Sequence, residues 1–166
     1  MAEKHLVIDG MELRYEGIFD MNGLLRAIDK YTAERGYAKS EKRRQEIVKK
    51  TGKEFSMELR PTKAKTAYLS LMIKMRISIT NLKNVNVVRN KRKRKLNKGN
   101  ITILFDAWTT SDFEMRWSQK PIYYFFMILV DKFWKKIHSN KFEDELVEDT
   151  NYVFKNIKAH LDLFHY

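Results

Sequence analysis

The chain of 166 residues contains no cysteine and is poor in residues that break regular structure, with two prolines and six glycines. Without cysteine it can form no disulfide, no thiolate zinc site and no cysteine nucleophile, and this composition fits a reducing compartment such as the cytoplasm. No stretch rich in serine, glycine or proline divides the sequence. We therefore expect one domain spanning residues 1–166 and a cytoplasmic location.

Long hydrophobic runs are also missing. The longest, Ile122–Val130, has nine residues, whereas a helix needs about 20 to cross a bilayer. The first residues, Met1–Gly10, lack the basic start, apolar stretch and small-residue cleavage site of a signal peptide. We therefore expect neither a membrane span nor a membrane partner.

The motifs that carry catalysis and metal binding are absent from the sequence. His5, His138, His160 and His165 form no HExxH motif, and no acidic metal cluster accompanies them. The scattered glycines form neither a Walker loop nor a GxGxxG loop, and no serine lies in a GxSxG context. We therefore expect no enzymatic activity, no metal site and no cofactor.

Alternation of apolar and polar residues predicts a mainly β-structure after one early helix. That helix is expected to begin at the capping residue Asp20 and to end near Gly36. The period of two predicts seven strands, at residues 11–16, 39–50, 55–59, 67–79, 84–95, 101–108 and 113–117. Residues 84–95 and 101–108 are expected to form a hairpin that turns at Asn97-Lys98-Gly99-Asn100.

The C-terminal residues 121–163 have a helical pattern, which we expect to be broken near Ser139-Asn140. The predicted fold is α+β: an antiparallel meander of about seven strands wrapped around a long C-terminal helix, with one helix after the first strand. This element order resembles the helix-grip (START/Bet v 1-like) superfamily. The resemblance implies a cavity between sheet and helix, so an apolar small-molecule ligand is an alternative function. Because large inward side chains more often fill a core, we do not expect such a ligand.

Charge is distributed very unevenly along the chain. The formal net charge is +12, yet residues 38–100 hold 20 basic and four acidic residues and so carry +16, which leaves −4 for the rest. The basicity therefore belongs to the predicted sheet and hairpin region, residues 38–118, while the helical region, residues 121–163, is mildly acidic. Such a one-sided field attracts polyanions, above all nucleic acid.

Two predicted basic hairpins carry most of this charge. Seven of the ten residues Arg89–Lys98 are basic, and strand alternation would place them on both faces, so that neither face can enter a core. We expect this hairpin to project into solvent and the hairpin near residues 42–50 to reinforce it. The candidate RNA-binding residues are Arg89, Lys91, Arg92, Lys93, Arg94, Lys95 and Lys98, with Lys42, Arg43, Arg44, Lys49 and Lys50.

The predicted function is non-catalytic RNA binding. Because basic strands and loops, and no helix, carry the charge, we expect contact with the phosphates of folded RNA rather than a recognition helix in DNA. In bulk character the chain resembles archaeal ribosome-associated proteins. That resemblance implies ribosomal RNA or a ribosomal subunit as partner, and a role as structural component or as a factor that modulates subunit association or hibernation. A nuclear or DNA-associated basic protein is the other alternative.

The apolar start of the C-terminal helix suggests a second surface. Residues 122–130 are apolar around the whole helix, and a sheet can cover only one side of it. We therefore expect a homodimer or partner surface formed by Ile122, Tyr123, Phe126, Val130 and Trp134.

Overall fold

The computed structural model describes residues 3–66, 69–111 and 121–164, without the side chains of residues 3, 42, 121–124, 126–127 and 130–139. Within these residues an antiparallel sheet of six strands is combined with two helices, one after the first strand and one at the C-terminus, so the predicted α+β class is confirmed. The elements are β1 (Glu3–Phe19), α1 (Met21–Glu34), β2 (Glu41–Lys49), β3 (Gly52–Leu59), β4 (Thr62–Ala64), β5 (Leu69–Arg89), β6 (Arg92–Ser111) and α2 (Pro121–Asp162).

The sheet is open, and its strand order is β1-β6-β5-β3-β2, with β4 also paired to β5. Both helices lie on one face of it: α2 packs against α1 and against β1, β5 and β6. In the described part of the chain, neither helix is long and apolar enough to span a membrane.

The inner face of β5 forms the centre of the core. Leu71, Ile73, Met75, Ile77 and Ile79 alternate along the strand and are each at most 1% exposed, as the period of two predicted. They pack against inward residues of the neighbouring strands and against the second half of α2, which contributes Leu146, Val153, Ile157 and Leu161.

Both ends of α1 were predicted from the sequence. The carboxylate of Asp20 accepts a hydrogen bond from the Asn22 N–H at 3.1 Å, as an N-cap residue does. Gly36 adopts a positive φ of 84°, and the next residue, Tyr37, donates its N–H to the Thr32 carbonyl at 3.1 Å. This bond, which spans five residues, closes the helix in a Schellman-type end.

The predicted hairpin of residues 84–95 and 101–108 is wrong. β5 runs on to Arg89 and β6 begins at Arg92, so the turn consists of Asn90 and Lys91, with φ values of 48° and 60°. Two consecutive positive φ values are the signature of a type I′ turn, which matches the twist of a hairpin. The segment Asn97–Asn100, where we expected the turn, lies inside β6.

The expected break of the C-terminal helix near Ser139-Asn140 is also wrong. α2 is continuous over 42 residues, about 63 Å at 1.5 Å per residue. The sequence has no proline or glycine between Ile122 and Asp162, and these are the usual causes of a sharp kink. The strand expected at Phe113–Trp117 and the first two residues of the strand expected at 67–79 lie outside the described residues.

A cluster of ionic side chains fastens α2 to β4 and α1. Lys63 Nζ donates hydrogen bonds to Glu145 Oε1 at 2.7 Å and to Asp149 Oδ2 at 3.2 Å, and Lys65 Nζ also binds Glu145, at 2.8 Å. The Tyr37 hydroxyl donates to Asp149 Oδ2 at 3.1 Å. Asp149 is only 2% exposed, so its charge depends on these partners.

Proton affinities in the cluster follow the balance of burial and pairing. Burial alone would lower the pKa of Lys63, but its hydrogen bonds to Glu145 and Asp149 outweigh burial and raise it. Burial would raise the pKa of Glu145, and Lys63 and Lys65 instead lower it. Burial, reinforced by the Asp149 carboxylate, raises the pKa of the Tyr37 hydroxyl. At neutral pH Lys63 and Glu145 are therefore ionised, and the Tyr37 hydroxyl is a neutral donor.

Replacement of Asp149 by alanine should lower the free energy of unfolding by about 3 kcal/mol, because it leaves the partly buried Lys63 and the Tyr37 hydroxyl short of an acceptor. The exposed neighbour Glu148 is the matched control, and Glu148→Ala should change stability by less than about 0.5 kcal/mol. Urea denaturation measures both values. Equal losses in the two variants would contradict a stabilising cluster.

Acid should weaken the same cluster. Because the pKa of Glu145 is lowered from its ordinary value of 4.5, its contribution is present above that value and is lost as the pH falls through the folded-state pKa. Urea denaturation of Glu145→Gln between neutral pH and pH ~3 should therefore show a smaller acid-induced loss of stability than the parent chain shows. Parallel pH curves for the two proteins would refute this linkage.

Candidate nucleic-acid interface

The end of the β5–β6 hairpin extends beyond the rest of the sheet. On one side the last pair of β1 with β6 joins Phe19 to Asn97, and on the other side the last pair of β3 with β5 joins Lys53 to Leu82. Beyond these pairs the two strands pair only with each other, up to Arg89 and Arg92. We call residues 83–98 the arm; at about 3.3 Å per residue it is about 20 Å long.

A β-bulge marks the root of the arm. The pairing of β5 with β6 shifts between Thr80 and Lys83, and Asn81 within the bulge has a positive φ of 54°. Gly99 lies opposite the bulge, where a Cβ would come within 2.9 Å of the Thr80 carbonyl oxygen. Glycine is therefore required here by close packing of backbone and not by a turn.

The arm is strongly cationic and has no acidic residue of its own. The arm contains eight basic residues and no acidic residue, and all eight side chains are exposed. Among the residues that the structure describes, no carboxylate forms an ion pair with Lys91, Arg92, Lys93, Arg94 or Lys95. Their charge is thus available to an external anion.

Strand pairing even opposes like charges within the arm. Arg89 lies directly opposite Arg92, and Lys83 lies directly opposite Lys98. Like charges at opposed positions destabilise a strand pair, and at the Arg89–Arg92 pair the neighbouring strands that stabilise the rest of the hairpin are missing. A bound polyanion would relieve this repulsion, so anion binding and ordering of the arm are thermodynamically coupled.

The two faces of the arm differ in chemistry. Residues that lie opposite each other share a face. The pairing therefore places the three arginines on one face and Lys93 and Lys95 on the other. One face carries Arg89, Arg92 and Arg94, with Lys83, Lys98, Val85, Val87 and Leu96; the other carries Lys93 and Lys95, with Asn84, Asn86, Asn97 and Val88. Arginine recognises phosphate in a bidentate manner and stacks on bases, whereas lysine acts as a point charge.

Hydrogen bonds fix the root of the arm to the fold. The Met21 N–H at the start of α1 donates to Asn97 Oδ1 at 3.1 Å, and Asn97 Nδ2 donates to Asn84 Oδ1 at 3.0 Å. Asn97 therefore links both arm strands to the first turn of α1. These hydrogen bonds restrict movement of the arm root relative to α1.

The second basic hairpin, β2–β3, is partly neutralised within the chain. Lys49 Nζ lies 2.7 Å from Glu54 Oε1, and Lys53 Nζ lies 3.5 Å from Glu46 Oε1. Arg44 lies over the Phe55 ring, with Cζ 5.4 Å from its centroid. Arg43 and Lys50 are exposed, and the Lys42 side chain lies outside the described residues. This hairpin therefore offers less uncompensated charge than the arm.

Basic and acidic clusters lie at opposite ends of β5. Lys63, a member of the ionic cluster, pairs with Leu71, whereas Arg89 ends the same strand at the tip of the arm. The 18 residues between Leu71 and Arg89 correspond to about 60 Å of strand. Glu145 and Asp149, the acidic members of that cluster, are thus too far away to screen the end of the arm.

Sequence reasoning missed Lys83, which the corrected strand pairing adds to the arm. The expected surface formed by Ile122, Tyr123, Phe126, Val130 and Trp134 lies outside the described side chains. Near it on α2, however, Phe125, Ile128 and Leu129 are 67%, 52% and 45% exposed. Within the described residues no three acidic or histidine side chains form a potential metal site. Of the histidines, His160 is partly buried, and this burial lowers its pKa.

Comparison of the chain with protein-family models, with curated proteins and with solved structures gives no match.

The position of the turn can be tested with glycine. Lys91→Gly places the residue preferred at the second position of a type I′ turn and removes a positive-φ side chain, so it should stabilise the arm by about 1 kcal/mol. Lys93→Gly removes the same charge within a strand and should destabilise the arm by about 0.5–1 kcal/mol. Hydrogen exchange of the arm amides measures both changes, and a loss of protection in Lys91→Gly would place the turn elsewhere.

Proposed function

We propose that this protein is a non-catalytic RNA-binding protein and that the arm is its principal contact with phosphate. The observation that supports the proposal most strongly is the combination of projection and positive charge: eight exposed cations on a ribbon that has no acidic residue. A surface that only increases solubility has no need to oppose Arg89 to Arg92, because such a pair costs stability.

The shape of the arm favours a site with phosphates on more than one side. Both faces and the turn are basic, so a single flat anionic surface would leave half of the charge unused. Folded RNA offers such sites, since its helices and loops bring sugar-phosphate backbones close together and are recognised mainly by shape. The arginine face would add bidentate phosphate contacts or stacking on unpaired bases.

We further propose ribosomal RNA within a ribosomal subunit as the partner, with the protein acting as a structural component or as a factor in subunit association or hibernation. This proposal rests on the RNA-binding proposal and on the resemblance of the chain, in bulk character, to archaeal ribosome-associated proteins. Sedimentation of a lysate on sucrose gradients tests it: the chain should comigrate with a subunit at low salt and move to the free fraction at high salt. Free migration at both salt concentrations would reject this partner.

The ligand-binding alternative has less support. The helix-grip resemblance rests on element order, and Met57, Leu71, Ile73 and Phe105, which would line a cavity, are all buried members of the hydrophobic core. Phe125, near the start of α2, is 67% exposed and so does not line a closed cavity. The DNA-binding alternative is distinguished by comparing the affinity for duplex DNA with the affinity for structured RNA.

Replacing Lys91, Arg92, Lys93, Arg94 and Lys95 by serine should abolish most of the affinity for RNA. Fluorescence anisotropy with a structured ribosomal RNA fragment over a salt series should give a linear dependence of log K on log [salt]. The loss of five phosphate contacts should reduce its slope by roughly 3.5–4.5. Because these five side chains form no ion pair with the described residues, circular dichroism and thermal unfolding should show the fold intact.

The matched control removes the same charge from the second hairpin, with Arg43, Arg44, Lys49, Lys50 and Lys53 changed to serine. It should lose less affinity, because Lys49 and Lys53 already pair with acidic side chains. Equal losses of affinity in both variants would show that any cluster of positive charge contributes equally and that the arm has no special role. A slope of log K against log [salt] near zero in the parent chain would reject electrostatic binding of phosphate. Tighter binding to duplex DNA than to RNA would favour the DNA alternative.

A further inference from the structure

Among the described strands, β1 and β2 lie at the two ends of the strand order, and β2 is the more regular of the two. β1 shifts register twice between Leu6 and Met11. β2 pairs without interruption with β3 from Arg43 to Lys49, every described side chain on it is exposed, and Val48 and Ile47 are 74% and 42% exposed. Among the described strands none pairs with the outer edge of β2, and such an edge presents unpaired N–H and C=O groups.

We propose that β2 pairs with β2 of a second copy of this chain, antiparallel and centred on Gln45, to form a symmetric homodimer. In this register Gln45 faces itself, and Arg44 faces Glu46 of the other copy at two symmetric positions. Each of these pairs joins opposite charges, which stabilise opposed positions on a sheet. The bulge between Glu41 and Arg43 ends the regular pairing, and there Glu41 comes to the same end as Lys49 of the second copy.

Symmetry leaves few alternatives to this register. A twofold axis perpendicular to the sheet keeps each residue on its own face, and opposed residues must share a face. The pairing must therefore be centred on a residue. A centre at Arg44 opposes two arginines, and a centre at Glu46 opposes two glutamates and also sets Arg43 against Lys49. A centre at Ile47 forms only a short pairing without an ion pair.

Charged residues on an edge strand usually prevent two sheets from associating edge to edge, but the charges on β2 do not prevent this pairing. Lysine-rich edges discourage association because like charges meet when two such edges approach. On β2 the charges are arranged so that the register centred on Gln45 opposes no two like charges, while neighbouring registers do. The same residues therefore disfavour promiscuous pairing and favour one specific partner, a second copy.

Dimerisation through β2 would also position the arms. The strand order outward from the axis becomes β2-β3-β5-β6 in each copy, and the antiparallel pairing reverses strand direction across the axis. The two arms would therefore leave opposite ends of a continuous sheet, with about six strand spacings, or roughly 29 Å, between their lateral positions. The inference does not depend on phosphate binding by the arm, because β2 and the arm share no residue.

The absence of cysteine allows a direct test by disulfide formation. Gln45→Cys introduces the only thiol of the chain, and opposed residues in an antiparallel pair have Cα atoms about 4.5–5.5 Å apart, within the range for a disulfide. Mild oxidation of the full chain should convert most of this variant to a covalent dimer. Ser56→Cys is the matched control: Ser56 is exposed and lies opposite Gln45 on β3, about 14 Å from its copy in the dimer, so it should stay monomeric.

Analytical ultracentrifugation over a concentration series supplies the second measurement. The parent chain should approach twice its monomer mass of 19.9 kDa. Arg44→Glu opposes Glu46 at two positions and should weaken dimerisation at least roughly tenfold, whereas Lys50→Glu makes the same charge change in the turn outside the pairing and should have little effect. A monomer at every concentration, equal crosslinking of the two cysteine variants, or a dimer insensitive to Arg44→Glu would each overturn the proposal.

Discussion

The pairing of β5 with β6 determines most of the molecule. These two strands lie at the centre of the sheet, and their register decides which side chains face the helices. A shift by one residue would turn Ile73, Met75 and Phe105 away from α2 and expose the core. The turn at Asn90-Lys91 specifies the register of the arm, and hydrophobic packing specifies the register of the core strands. The bulge between Thr80 and Lys83 accommodates the one-residue difference between these two registers.

The bulge at the root divides this hairpin into two parts with different energetics. Before it, inward residues of β5 and β6 are covered by helices and flanked by other strands. Beyond it, β1 still pairs with Lys98 and Asn97, and the rest of the arm has only its own backbone hydrogen bonds, the small apolar group around Val85 and Leu96, and opposed cations. An isolated two-stranded hairpin is marginally stable, so the arm depends on its continuity with the core strands and on the Asn97 link to α1.

Features set by local chemistry were predictable from the sequence, and those set by distant contacts were not. The cap at Asp20, the helix end at Gly36 and the alternation along β5 need only neighbouring residues, and all three were predicted. The predicted turn is misplaced because a glycine between asparagines is typical of a turn, whereas Gly99 is required by the close approach of the Thr80 backbone at the bulge. The cluster of Lys63, Glu145 and Asp149 joins residues more than 80 positions apart, and no local pattern predicts such a contact. For the arm, the composition identified most of the cations. The assignment of these cations to the two faces, and the inclusion of Lys83, required the pairing register of β5 with β6.

The distribution of acidic partners explains why one basic hairpin differs from the other. Both hairpins are rich in lysine and arginine, but β2 and β3 contain Glu46 and Glu54 at positions where strand pairing brings Lys53 and Lys49 close. Glu145 and Asp149 of α2 likewise form ion pairs with Lys63, Lys65 and Arg35. Since internal pairing uses these cations, the net positive charge of the chain resides chiefly on the arm. A count of charges along the sequence therefore overestimates the second hairpin, and strand register decides which cations are available to an external anion.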